Sequence, residues 1–190
     1  MSSDQTFLPP RRQLPSPLCR IALVEPLIPE NTGNISRTCV GTNSELHLVH
    51  PLGFEITESR VKRAGLDYWK HLAMDTHPDF EAWASVVERD FDPDRVFFIE
   101  TWGETSLHEV QFQRGDWLVF GKETVGLTRE QVERVTSRPD RVLKIPMPGE
   151  VRSLNLSNAV AVTVFELLRQ VDAARLKTPI SGVPTGQFER

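Results

Sequence analysis

The sequence lacks the marks of several large protein classes. No apolar run approaches the roughly 18 residues that a bilayer-crossing helix needs. The opening Met1-Ser2-Ser3-Asp4-Gln5 has no basic start leading into an apolar core, so a secretory leader is not expected. There are only two cysteines, Cys19 and Cys39, and they form no metal-ligand pattern with the histidines, so no metal site is expected. They read as plain thiols suited to a reducing cytoplasm. Also missing are a G-x-G-x-x-G after the first strand, a phosphate-cradling Walker loop, a G-x-S-x-G nucleophile elbow and a His pair at zinc spacing. Hydride transfer on a classical dinucleotide fold and metal-assisted hydrolysis therefore find little support. A net charge of -4 argues against wholesale non-specific nucleic-acid binding but leaves room for a local basic patch.

What is present suits one domain with a sizeable core: 190 residues, 39% hydrophobic and 25% charged. Residues 1–18 carry Pro9, Pro10, Pro15 and Pro17 around Arg11-Arg12, which forbids a regular helix and predicts an extended or loose arm. The two arginines read as solvated. Arg20 to Glu25 is a buried strand, Pro26 to Asn34 a proline-pinned loop, and a helix opens near Thr32 with Arg37 off its apolar stripe. Glu45 to Val49 is a second strand, completing a βαβ unit. The alternation continues, predicting an α/β domain over residues 19–171, with a mainly parallel sheet flanked by helices on both faces. Three further strands, at 95–99, 116–120 and 142–145, each end in a loop of small, polar or proline residues. Ligands of open α/β sheets bind at such carboxyl ends. Between Glu58 and Lys70 the chain turns basic, with Arg60, Lys62, Arg63 and Lys70 beside Tyr68 and Trp69. This reads equally as a surface for RNA phosphates and bases or as an amphipathic helix with its aromatic residues inward. His71 and His77 read as ordinary surface histidines, and residues 172–190 as a loose tail.

The stretch Arg152-Ser153-Leu154-Asn155-Leu156-Ser157-Asn158 begins polar and runs into an apolar helix with Val160, Val164, Leu167 and Leu168 on one face. Ser153 or Asn155 can cap it. A helix wanted for packing alone has no need of so many amides and hydroxyls in its first turn. Asn31, Arg37, Ser153, Asn155 and Asn158 are thus the candidate polar groups of a loop-built pocket.

Three blocks carry a resemblance: Pro29 to Thr38, Phe120 to Leu127, and Ile145-Pro146-Met147 through Asn158. They resemble the signature blocks of the SPOUT RNA methyltransferases. Within that superfamily the match is close to the small tRNA (cytidine/uridine-34)-2'-O-methyltransferases of the TrmL or YibK type, a subgroup that Ala64-Gly65-Leu66-Asp67-Tyr68 also resembles. The likeness covers about residues 20 to 170. It implies an α/β fold with a C-terminal trefoil knot. It implies S-adenosylmethionine bound by Ile99, Glu100, Thr101, Gly103, Gly121, Glu123, Ile145, Met147, Ser153 and Leu154. It also implies a cytoplasmic homodimer that methylates the ribose 2'-hydroxyl of tRNA nucleotide 34, with Arg37 and Asn31 as catalytic residues. Arg60, Lys62, Arg63 and Arg152 are the RNA-binding candidates, and no membrane is involved. Phe165 stands where such proteins often carry a tyrosine, so any role of that hydroxyl is missing here. The rival readings are a relative acting on ribosomal RNA or another tRNA position, a non-catalytic RNA-binding protein of the same fold, and a nucleotide-binding α/β protein without an RNA partner.

Overall fold

The strand that the sheet is built around is Cys19–Val24 (β1), whose side chains alternate between two apolar layers. Ile21 and Leu23 face one core cluster while Ala22 and Val24 face the other. A computed structural model of the protein describes residue 9 and residues 14–56 and 68–172. Arg60, Lys62, Arg63, the Ala64-to-Asp67 stretch, Arg11-Arg12 and the tail from 173 lie outside the described residues.

In chain order the other strands are β2 (Glu45–Val49), β3 (Ala73–His77), β4 (Val96–Ile99), β5 (Thr105–Ser106), β6 (Asp116–Phe120) and β7 (Val142–Lys144). They form one parallel sheet in the order β3-β2-β1-β6-β4-β7-β5. The helices are α1 (Pro29–Thr42), α2 (Phe80–Asp90), α3 (Arg129–Val135) and α4 (Leu156–Val171). Ile35 and Cys39 of α1 join Val160, Val164 and Leu167 of α4 in the cluster on one face of the sheet. Trp83 and Val87 of α2 join Val132 and Val135 of α3 on the other. Helices on both faces are what a parallel sheet needs to bury two apolar surfaces.

The buried side of α1 is small and polar as much as apolar: Asn31, Thr32, Ile35, Ser36 and Cys39. Small groups let α1 and α4 approach closely. Ser36 Oγ donates to the Gly33 carbonyl at 2.7 Å, and Thr163 Oγ1 of α4 donates to Ala159 at 2.9 Å, so both hydroxyls are satisfied within their own helices. The other end of α4 is held by Gln170, whose side chain accepts from Phe112 N–H at 2.9 Å and donates to the Val110 carbonyl. The last part of the arm is attached as well: Leu14 N–H donates to Glu45 Oε1 at 3.2 Å and Leu18 N–H to the Asn43 carbonyl at 2.8 Å.

Strand β7 lies between β4 and β5, so the connection from β4 to β5 has to cross it. Glu100 N–H donates to the Leu143 carbonyl at 2.9 Å at that crossing. The contact leaves no room for a side chain at Gly103, where a Cβ would stand 2.7 Å from the backbone of Leu143 and Val142.

One expectation is corrected. His77 is no surface histidine: it is 6% exposed at the end of β3, with Nε2 3.1 Å from His47 Nδ1. His47 in turn packs on the Trp117 ring, and the Arg20–Glu45 ion pair lies beside it. A polar stretch without helical or alternating pattern concealed both β3 and the burial of its last residue. Burial pushes His77 down from 6.5 to about 4, a neighbouring charge on His47 pushes the same way, and Asp75 opposes. The unfolded chain takes up this proton near its ordinary value, whereas the folded chain resists it until about pH 4. The stability that neutral His77 contributes is therefore present above pH 6.5 and is lost as pH falls through about 4. Thermal denaturation of the wild type and His77→Gln should show a smaller acid-side loss in the variant. Equal losses would remove His77 as the source.

Candidate active site

The loops after β4, β6 and β7, with the start of α4, enclose a cleft of about 1070 Å³ at the carboxyl ends of these strands. That is the size of a site for a substantial small molecule, for which roughly 300–1,000 Å³ is usual. Every residue that the resemblance assigned to the cofactor lines it except Gly103, which stands behind the wall against β7.

Two carboxylates set the shape of the cleft. Glu100 is 8% exposed, and its Oε1 accepts from Leu127 N–H at 2.7 Å. It thereby joins the loop after β4 to the loop after β6. Burial pushes the Glu100 carboxyl up from 4.5 to about 6, against the backbone N–H groups of Leu127 and Thr101, which hold it down. The Gly121 to Gly126 turn closes on the same carboxylate. Gly126 has a φ of +71, and a Cβ there would stand 2.4 Å from Glu100 Oε2. A Cβ on Gly121 would stand 2.2 Å from the Gly126 carbonyl carbon. The two glycines let protein backbone approach protein, which is what the tight turn requires.

Glu123 joins three separate segments. Its Oε2 accepts from Leu27 N–H at 2.9 Å, and its Oε1 accepts from Ile28 N–H at 3.2 Å and from Asn31 Nδ2 at 2.9 Å. The residue preceding α1, Ile28, has no side-chain cap to offer, so Glu123 supplies the anionic acceptor at that helix start from the far side of the sequence. Burial opposes the charge on Glu123, but the bonds from Asn31, Leu27 and Ile28 outweigh it and hold the carboxyl below its ordinary value. Asn31 Oδ1 accepts in turn from Asn155 Nδ2 at 3.0 Å, and Asn155 Oδ1 accepts from Ser157 N–H at 2.9 Å and Ser157 Oγ at 2.7 Å. Asn155, not Ser153, is thus the cap of α4. Both ends of the buried Asn31 amide are committed to this chain of bonds.

Arg37 is placed differently. It is exposed on α1, with its guanidinium carbon 5.0 Å from the centre of the Tyr68 ring, and it is not among the residues lining the cleft of its own chain. Tyr68 is positioned by its hydroxyl, which donates to the Gly33 carbonyl at 2.9 Å. Arg152 does line the cleft, and Asn158 is exposed. Ile28, Lys122, Lys144 and Val151 also line it, though the blocks did not single them out. Each is in or next to a strand-end loop, a signal that position in the alternation alone could have given. Among the described residues no group of three or more His, Cys, Asp or Glu is placed to hold a metal ion. Burial pushes the Cys19 thiol up to about 12 and the Cys39 thiol well above its ordinary value, which leaves both inert.

A family model, the SpoU rRNA Methylase family, matches residues 19–165. The chain belongs to this family. It is 46% identical over 150 residues to a tRNA (cytidine(34)-2'-O)-methyltransferase of Burkholderia pseudomallei (strain 1106a), covering 79% of this chain and 94% of that one. A structure solved for the 2-OH methylation of C/U34 on tRNA is 42% identical with a TM-score of 0.70, covering 80% of this chain and 95% of that one. An AdoMet-bound rRNA methyltransferase from Sinorhizobium meliloti shares the fold at 21% identity, with a TM-score of 0.69 over 86% of this chain and 58% of that one. The SPOUT reading of the three blocks is borne out. The family implies a C-terminal trefoil knot.

The residues present fit S-adenosylmethionine. The apolar side chains of Ile99, Phe120, Ile145, Met147 and Leu154, with loop backbone, offer a slot for a flat heterocycle. The Glu100 carboxylate offers an acceptor for hydroxyl or ammonium groups. Replacing Glu123 by alanine removes the shared acceptor at the α1 start, and should lower the unfolding free energy by about 1–3 kcal/mol in urea denaturation. An unchanged midpoint would show that the carboxylate does not hold the cleft together.

Proposed function

We propose that the protein transfers the methyl group of S-adenosylmethionine to the ribose 2'-hydroxyl of nucleotide 34, the wobble position, of tRNA, acting as a cytoplasmic homodimer. The observation that carries this reading is the 46% identity to a tRNA (cytidine(34)-2'-O)-methyltransferase over 94% of that protein's length. The cleft at the strand ends, with cofactor-sized volume and apolar lining, supports the cofactor part of it. No described helix is long and apolar enough to cross a membrane.

When bound, S-adenosylmethionine supplies a methyl group made electrophilic by its sulfonium. Arg37 cannot remove the proton of the attacking hydroxyl, because a guanidinium stays protonated in proteins, so that proton passes to solvent water as the methyl is transferred. Its part is to hold the RNA phosphate and to stabilise the negative charge that develops on the 2'-oxygen. Asn31, with its amide held by Glu123 and Asn155, acts by keeping the start of α1 at the edge of the cleft. Because Arg37 lies outside the cleft of its own chain, it would act in the cleft of a second copy of the chain. The exposed Val162 and Phe165 on α4 offer an apolar surface for that copy. The benzyl ring of Phe165 fills the volume of the tyrosine often found in relatives, so its missing hydroxyl does not preclude activity.

Methyl transfer from labelled S-adenosylmethionine to tRNA of a strain lacking this activity, followed by nucleoside mapping, tests the reading. Label on the 2'-oxygen of nucleotide 34 is expected. Label on ribosomal RNA alone would support the rival that the family description favours. Arg37→Ala should keep S-adenosylmethionine affinity within about twofold and lose at least ~100-fold in transfer rate, the scale of removing one charge-stabilising donor. A variant with wild-type turnover would take Arg37 out of the mechanism.

A further inference from the structure

Most of the described cations are neutralised at contact distance. On the α2–α3 side, Arg134 pairs with Glu81 and Glu88, Arg138 with Asp94 and Asp140, and Arg89 with Asp90. Elsewhere Arg20, Arg95, Arg114, Lys122, Arg141 and Arg169 are likewise held by carboxylates. Among the described residues, Arg37, Lys70, Arg129, Lys144 and Arg152 have no such partner, and all five are exposed. Their placement is not scattered. Lys144 and Arg152 line the cleft, and Arg37 and Lys70 flank Tyr68.

Arg129 opens α3 two residues after Leu127, and its guanidinium carbon lies 4.5 Å from the centre of the Trp102 ring. Trp102 belongs to the loop after β4, between Thr101, which lines the cleft, and Gly103, which packs on β7. Its indole is anchored against the apolar cluster under α2 and α3. A lone surface arginine would lose side-chain freedom on gripping a ligand, whereas one already stacked on a fixed ring loses less. Stacking uses the face of the guanidinium and leaves its N–H fork at the edge free for phosphate. Neighbouring carboxylates do not occupy that fork. Glu130 feels the charge of Arg129, but neither it nor Glu104 or Glu150 forms an ion pair with Arg129, Lys144 or Arg152.

We propose that the Arg129–Trp102 stack, with Lys144 and Arg152, is a clamp for the phosphodiester backbone of the substrate RNA at the outer edge of the cleft. The inference rests on the tRNA reading above. A molecule of net charge -4 attracts a polyanion only where cations are left unpaired, and three of the five such described cations, Arg129, Lys144 and Arg152, lie in the cleft or against its loops. Phosphate contacts of this kind set position and not sequence.

The test is tRNA binding over a series of salt concentrations, with S-adenosylmethionine affinity measured alongside by calorimetry. Arg129→Ala should weaken tRNA binding by about 10-fold and reduce the salt slope by about 1, leaving S-adenosylmethionine affinity unchanged. Arg138→Ala, on the neutralised face, should do neither. If Arg129→Ala disturbs the loops, seen as lost S-adenosylmethionine binding, Arg129→Gln is read in its place. A variant with wild-type tRNA affinity and slope overturns the clamp while leaving the tRNA reading intact. Wild-type protein that binds S-adenosylmethionine but no tRNA overturns both.

Discussion

The structure depends on the carboxylate of Glu123. Its oxygens take N–H groups from Leu27, Ile28 and Asn31, more than ninety positions away in sequence. Burying a carboxylate is costly unless several donors meet it. Here they do, and they come from the loop after β1 and the first turn of α1. Through Asn31 and Asn155 the same bonds reach the cap of α4. One chain of bonds thus links α1, α4 and the loop after β6. The cleft is a product of the assembled sheet and not of any one loop.

Glu100 does for the opposite wall what Glu123 does for this one. It ties the loop after β4 to Leu127, and the glycines beside it let the loops close. Two carboxylates therefore organise a site whose lining mixes apolar side chains, loop backbone and polar groups. Its apolar part suits a flat heterocycle, while the unpaired Lys144 and Arg152 of the lining are exposed to solvent. Their exposure follows from burial costs: an unpaired cation is tolerated where water still reaches it.

Much of this was legible in the sequence. Strands β1, β2, β4, β6 and β7 are short apolar runs, and their loops could be placed because proline, glycine and polar residues follow them directly. Ala73–His77 was not legible, since its residues neither alternate nor form an apolar run, and its strand character comes from pairing with β2. The two-residue β5 and the seven-residue α3 are too short to show a period. In the site, the three blocks picked out the lining but not the division of labour. That Asn31 spends both amide groups on protein partners, and that Gly103 serves β7 instead of the cleft, are consequences of long-range contacts. Arg37 shows the same limit: its position in a block does not reveal that it lies outside the cleft of its own chain.

Hydrogen–deuterium exchange with and without S-adenosylmethionine bears most directly on the claim that the strand-end loops locked by Glu100 and Glu123 hold the cofactor. Added protection should appear at residues 99–103, 121–127 and 145–155, spread to the first turn of α1 through Glu123, and leave β2 and β3 unchanged. Binding that protects none of these loops, or that protects the β2–β3 edge instead, would contradict the claim.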